Sequence, residues 1–376
     1  AGTELGLFIS WNGGKNWSPF QLNLPITPIT DLRVHKNNLI AATSGRAFWI
    51  LDDLNVIRQY KGNPTLFALY RPEGTYLVNG GSELDRTEDE FTGASTFRGV
   101  NPATGLVIYY QLPELKKDDV LTMEIKDAAG NVVRTFFSKA DEKFVRYEAG
   151  PRPDPLLTKN KGLNRFVWDL RYPTMAGVPN VRIEGGFAGH QAVPGKYTIT
   201  LKTPAQSLST EAEILANPLY PTDAATYAEY HRTMSSMETE LTTMHRLVNS
   251  LFEKQNQLES LLKSLPAGEK YAAVKKDGEA LLKKMKAWDE DMVQRKSKAY
   301  DDVENFPNKF TANYLFMINA TESDIPRVNQ PSLDRMKELN AQWTTLKARA
   351  DEILNRDIPA LNRKLWDAGL GAIWKE

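Results

Sequence analysis

The sequence predicts a multidomain chain in which β-structure comes first and α-helix follows. Three observations carry this reading. Before residue 219, Gly, Pro, Trp and β-branched residues are frequent, and apolar runs are short and bounded by turn residues. After it, Glu, Lys, Leu, Met and Ala dominate and Gly is scarce. The apolar residues of that second half recur at spacings of three and four, the period of a helix face. Strands grouped ahead of helices point to separate domains rather than to an alternating α/β fold, and 376 residues fit two or three of them.

Residues 1–60 read as short antiparallel strands: Thr3–Ile9, Trp17–Leu22, Asp31–His35, Leu39–Thr43, Ala47–Leu51 and Val56–Tyr60. Asn37-Asn38, Ser44-Gly45 and Asp52-Asp53 supply the turn residues between the later ones. This length is too small to close a barrel, so its apolar faces are expected to be covered from elsewhere. Residues 61–100 read as a linker or extended segment, with one strand at Leu66–Tyr70. The acidic run from Glu83 to Glu90 reads as solvated linker, because it lacks the D-x-[DN]-x-[DN]-G pattern of a calcium loop.

Residues 101–217 read as one β-sandwich. Its strands are Leu106–Tyr110, Val120–Lys126, Val132–Phe137, Asn164–Leu170, Lys196–Lys202 and Glu211–Leu215. Asp127 to Asn131 forms a hairpin turn with Gly130 where positive φ is needed. Phe166 and Trp168 share a strand face and are expected in the core. The stretch between Tyr172 and Pro194 is rich in Gly and Pro and reads as an inserted loop.

Residues 219–376 read as an elongated, antiparallel three-helix bundle. In the first helix Met234, Met237, Leu241, Met244, Val248, Leu251, Leu258, Leu262 and Leu265 make a coiled-coil-like stripe, interrupted only by Gln255. Pro266-Ala267-Gly268 ends it. The second carries Tyr271, Val274, Leu281, Met285, Trp288 and Met292 on one face, with Gly278 allowing close approach. Thr311–Ala320 is a short connecting helix. The third helix starts after Gln330-Pro331 with Ser332 as N-cap, carries Met336, Leu339, Trp343, Leu346, Ala350 and Ile353, and is expected to kink or end at Pro359. Trp374 reads as a docking residue.

Composition narrows the chemistry. Hydrophobic residues at 41% and charged residues at 25% exclude wholesale disorder. A formal net charge of zero argues against a nucleic-acid partner bound by bulk charge. No apolar run reaches the length of a membrane span. With no cysteine, thiol nucleophiles and Cys-ligated metals are excluded. Neither HExxH nor GxSxG occurs.

Of the four histidines, His35 reads as a surface residue, while His231 and His245 lie about 21 Å apart along one helix, too far to share a metal. His190, in the loop Gly185-Gly186-Phe187-Ala188-Gly189-His190, is a candidate ligand contact. Glu4, Asp31, Asp52 and Asp53 are the carboxylates available for glycoside hydrolysis, but Asp52-Asp53 reads as a turn, and Arg46 alone is no carboxylate-binding cluster. Trp11 and Trp49 are candidate sugar platforms. No residue is assigned as catalytic, cofactor-binding or metal-ligating, and no cofactor is expected.

Ser10-Trp11-Asn12-Gly13-Gly14-Lys15-Asn16-Trp17 fits S-x-D-x-G-x-x-W, with Asn12 in the Asp place. Ser10, Asn12, Gly14 and Trp17 thereby define a turn whose role is folding rather than catalysis. Together with Gly2–Ser10 and Ala42–Asp53, this motif resembles the closing blades of large bacterial BNR/Asp-box β-propellers, relatives of the sortilin propeller that are often labelled glycosyl hydrolases. Ser44 stands where the usual closing pattern carries His. Gly162–Leu170 and Pro194–Ile199 resemble the FlgD-type immunoglobulin-like domain that follows such propellers, and the helical tail has the same place.

The resemblance implies terminal propeller-blade strands at 1–60, an Ig-like β-sandwich at 101–217 and a helical bundle at 219–376. It also implies that most of a propeller precedes residue 1, so that the chain is a C-terminal part whose first partner is that remainder. The expected function is a non-enzymatic binding or scaffold region, in the periplasm, on the outer membrane surface or secreted, with a protein or glycan as further partner. The alternatives are the accessory end of a glycoside hydrolase, and a helical partner interface in an outer-membrane assembly.

Overall fold

A computed structural model describes residues 1–63, 66–85, 100–322 and 326–370. The acidic run beyond Asp85 and Trp374 lie outside the described residues. The general arrangement is β-sheet followed by α-helix.

The first sixty residues form two open sheets. Strands β1 (Gly2–Thr3), β2 (Gly6–Ile9) and β3 (Ser18–Pro19) make one, and β4 (Ile29–His35), β5 (Asn38–Thr43) and β6 (Phe48–Leu51) make the other, all antiparallel. This corrects the propeller reading, with its BNR, Asp-box and sortilin-like terms: among the described residues no sheet closes into a toroid, and neither sheet has the four strands of a blade. The reason is local. Val56–Tyr60, expected as a further strand, falls mostly in helix α1 (Leu54–Gln59). Asp53 takes a left-handed φ of 56° and turns the chain, and Val56 N–H donates to the Asp53 carbonyl.

After the short strands β7 (Ala68–Leu69) and β8 (Thr75–Tyr76) come β9 (Leu106–Leu112), β10 (Thr122–Asp127), β11 (Val132–Phe137), β12 (Gly162–Trp168), β13 (Gly195–Lys202) and β14 (Ser207–Leu215). They form a five-stranded sheet, β11-β10-β13-β14-β8, and a three-stranded sheet, β12-β9-β7. Among the described residues only β8 and β14 pair in parallel. Period-two alternation places Ile108 and Tyr110, Met123 and Ile125, Phe166 and Trp168, and Ile199 and Leu201 in one core shared by both sheets. In the β10–β11 turn, Asp127 Oδ1 accepts from the backbone N–H of Ala129 and Asn131, and Gly130 takes φ 87°.

The helices are α2 (Ala224–Ser264), α3 (Glu269–Met292), α4 (Asp302–Asn305), α5 (Phe310–Thr321), α6 (Gln330–Glu352) and α7 (Ile358–Asp367). Asn329 rather than Ser332 caps α6: its side chain accepts from the Ser332 N–H, so Ser332 lies in the first turn, while Pro331 occupies a slot that needs no donor. Pro359 does not end the helical run. A π-helical turn over Ile353–Asp357 precedes it, with Ile358 N–H bonded to the Ile353 carbonyl five residues back. The wider turn gives the proline ring space that an α-helical turn denies it.

A second core joins these helices, built from the Met234–Leu258 stripe of α2 together with Met285, Trp288, Leu315, Ile318, Leu339, Trp343 and Leu361. Residues 172–194, the expected inserted loop, enter this core as a strap. Its two arms pair through Tyr172 N–H to the His190 carbonyl and Met175 N–H to the Phe187 carbonyl. Met175, Val178, Val181, Ile183 and Phe187 are buried among the helices, although the chain enters the strap from β12 and leaves it into β13. Val193 packs against both cores, and Tyr227 of α2 lies in the sheet core.

Gly278 sits where α3 meets α2, and a Cβ there would lie 2.7 Å from Leu262 Cδ2. Gly278→Leu is therefore expected to lower stability by about 1–3 kcal/mol through overpacking, read as a reduced urea midpoint. A midpoint unchanged or raised would contradict the close approach.

Candidate functional site

The helix that carries the apolar stripe also carries a polar one. His231, Ser235, Glu238, Thr242, His245 and Asn249 recur at spacings of four and three, just beside the apolar stripe. At 3.6 residues per turn this makes a continuous seam along α2, and the strap lies on it. Thr242 Oγ1 accepts from Ala176 N–H at 3.4 Å, His245 Nδ1 lies 2.6 Å from the Ala176 carbonyl, and Asn249 Nδ2 donates to the Gly177 carbonyl at 2.9 Å. At the other arm, Glu238 Oε1 accepts from His190 N–H at 2.6 Å and Glu238 Oε2 lies 2.8 Å from His190 Nδ1. The strap's backbone polar groups thus find partners on α2 instead of being buried bare. On α5, Asn319 does the same for Gly186, accepting from its N–H and donating to its carbonyl.

The Glu238 end is a row of three titratable groups. His190 Nε2 lies 2.9 Å from His231 Nδ1, and Ser235 Oγ lies 3.3 Å from that same nitrogen. With His190 donating from Nδ1 to the Glu238 carboxyl, its Nε2 accepts and His231 donates from Nδ1. Tyr172 stacks on the His190 ring at 4.3 Å, and Tyr230 meets it edge-on at 5.7 Å. Arg134 fixes Tyr172 from behind, donating to its carbonyl and to Asp154. Burial, and then the neighbouring His190, hold His231 below the usual imidazole range. Burial pushes the Tyr172 hydroxyl up to about 12. His245 is buried and pushed down to about 4, so it is neutral, with Nδ1–H on the Ala176 carbonyl and Nε2 without a partner.

Chemically, a buried carboxylate–imidazole–imidazole row orients its members and stores a proton. Glu238 and His190 are both closed off from solvent, which suits holding two elements together better than attack on a substrate. Among the described residues no three His, Asp or Glu side chains converge to hold a metal. Beside the strap's base, a cavity of about 220 Å³ is lined by Asn79, Asp85, Thr104, Asp169, Arg171 and Gln191, among others. Its carboxylates already accept from Ser82, Thr104 and Arg171 backbone N–H groups.

The residues singled out from sequence lie apart from one another. His190 is fully buried in the seam. Trp11 is about half exposed, its ring edge-on to Tyr60 at 5.7 Å. Trp49 lies in the β4–β6 sheet and donates from Nε1 to the Arg46 carbonyl. In the Ser10–Trp17 turn, Ser10 Oγ accepts from Gly14 N–H, Asn12 Oδ1 accepts from Asn16 N–H, and Trp17 Nε1 donates to the Gly14 carbonyl. Of the carboxylates, Asp31 pairs with Arg33, and Asp53 accepts from the Tyr109 hydroxyl and is raised by burial. His35 is exposed. Nothing in local sequence pattern pairs Glu238 and His231 with His190, though the polar seam that holds them is visible in the sequence as a second heptad-spaced row.

Scans against models of protein families, curated proteins and solved structures found no match to this chain. Among the described residues no helix is long and apolar enough to cross a membrane.

Glu238→Ala leaves the buried His190 N–H and Nδ1–H without their acceptor, a cost of about 1–3 kcal/mol for each donor. Glu238→Gln, which keeps one carbonyl oxygen, is expected to lose less. Chemical denaturation of the two variants checks the order; equal stability of wild type and Glu238→Ala would contradict the clamp.

Proposed function

We propose that the chain is a non-enzymatic binding or scaffold region that presents the surface of its first sixty residues to a partner. The carrying observation is the apolar surface left open there. Phe48 is 76% and Ile50 61% exposed, and cross-strand pairing with Ala42 and Ile40 puts both on one face of the β4–β6 sheet. Strand β6 is also an edge strand, with one side unpaired among the described strands. Soluble proteins normally keep such faces and edges covered. By contrast, the polar groups gathered at the seam are engaged in holding the chain to itself.

In this reading residues 101–217 are an Ig-like, FlgD-type sandwich and residues 219–376 a three-helix bundle. They make a rigid stand for the N-terminal sheets, in the envelope or exterior of a bacterium. A second reading, the accessory end of a glycoside hydrolase, draws support from the half-exposed Trp11, since aromatic faces stack on sugars.

A photo-crosslinking residue at position 48 or 50, introduced into the protein in its native cells, is expected to give one discrete protein adduct, lost when the other position is made Asp. Absence of any adduct, together with polysaccharide binding that depends on Trp11, would favour the second reading. Substrate turnover by the purified chain would contradict both as stated.

A further inference from the structure

Three of the chain's four histidines lie where the strap meets α2. His245 holds the outgoing arm at Ala176; His190, on the returning arm, is held by Glu238 and faces His231. We propose that the strap is an acid-released latch, held on the polar seam of α2 by neutral imidazoles and freed when they take up protons.

The hydrogen-bond geometry sets the response. The Glu238–His190–His231 row carries one added proton without breaking, because His231 protonated on both nitrogens still donates from Nδ1 to His190 Nε2. A second proton puts N–H against N–H across a 2.9 Å gap, and that bond is lost. At His245 the break is simpler. Its Nε2 is buried without a partner, so a proton there brings an unpaired charge into apolar surroundings beside Phe187.

The groups around the row come from every packed element. His231 faces His190 and Tyr172 from the strap, Ser235 and Glu238 from its own helix, and Asp127 from the β10–β11 turn. His190 faces Glu238 and Tyr230 from α2, and Tyr172. Glu322, just past the end of α5 and paired with Arg171 at 2.7 Å, acts on Tyr230. Asp127 and Glu238 favour a charged His231, but burial and His190 outweigh them. On His245 burial dominates, and the Ala176 carbonyl opposes it without outweighing it.

The sign follows. His231 and His245 bind a proton less well in the closed strap than in the open one, so closure is fully favoured above the ordinary histidine range near pH 6.5 and is lost as pH falls toward 4. Release bares Met175, Val178, Val181, Ile183 and Phe187 and the α2 groove they fill.

Hydrogen exchange read by mass spectrometry on the full chain, from pH 7.5 to 4.5 and corrected for intrinsic rates, tests this. The expected result is a fall in protection of strap peptides covering residues 174–191 on the order of 10- to 100-fold, while peptides of β10 and β13 keep theirs. His245→Asn and His231→Asn are each expected to reduce that fall. Should His245→Asn fail to fold, His231→Asn alone decides, with tryptophan fluorescence confirming that its cores remain intact. Protection of strap and sheet lost together, or a wild-type fall in a folded His231→Asn variant, would overturn the latch.

Discussion

The structure depends on one constraint: a strap whose two ends belong to the sheets must bury its middle among the helices without leaving backbone polar groups bare. Apolar anchors alone do not solve this, since each buried N–H or carbonyl left unpaired costs on the order of 1–3 kcal/mol. The solution is the polar row on α2, where Glu238, Thr242, His245 and Asn249 bond strap atoms from Ala176 to His190. Apolar anchoring supplies the driving force, and the seam fixes the register.

From this follows the relation between the two cores. Within the strap Val193 packs on both, and Tyr227 of α2 sits among the strands, so Tyr227 gives the helices a contact on the sheets besides the strap. Buried charge at such a junction is weak evidence for stability in itself. Its clearer consequence is specificity: Glu238 takes both donors of one residue, His190, and so selects a single seating of the returning arm. The first sixty residues stand in contrast, with few buried side chains, among them Leu7, Leu24 and Ala41.

Much of the fold was legible in the sequence because period and punctuation agree there. The apolar runs Leu106–Tyr110 and Val132–Phe137, and the three-four spacing from Met234 to Leu262, reappear in the structure within strands and a helix. Val56–Tyr60 misled because β-branched and aromatic residues suit a strand, while the turn at Asp53 that starts a helix there leaves no mark beyond two aspartates. At Pro359 the interruption takes the form of a π-turn just ahead of the proline, and that form is a tertiary accommodation with no sequence mark of its own. The Gly and Pro content of the strap reads as a loop. Its anchors Val178, Val181, Ile183 and Phe187 keep neither strand nor helix period, so their burial was invisible. His190 was singled out, but a contact spanning 48 residues to Glu238 cannot be read from local pattern.

The most direct measurement is denaturant unfolding of the whole chain with each core watched separately, by hydrogen exchange in β13 and in α3, for wild type and for the double variant Val181→Ala/Phe187→Ala. If the strap makes one cooperative unit of sheets and helices, both cores of the wild type lose protection at one denaturant concentration, and in the variant they part into two transitions. Two separate transitions already in the wild type, or coincident ones in the variant, would contradict it.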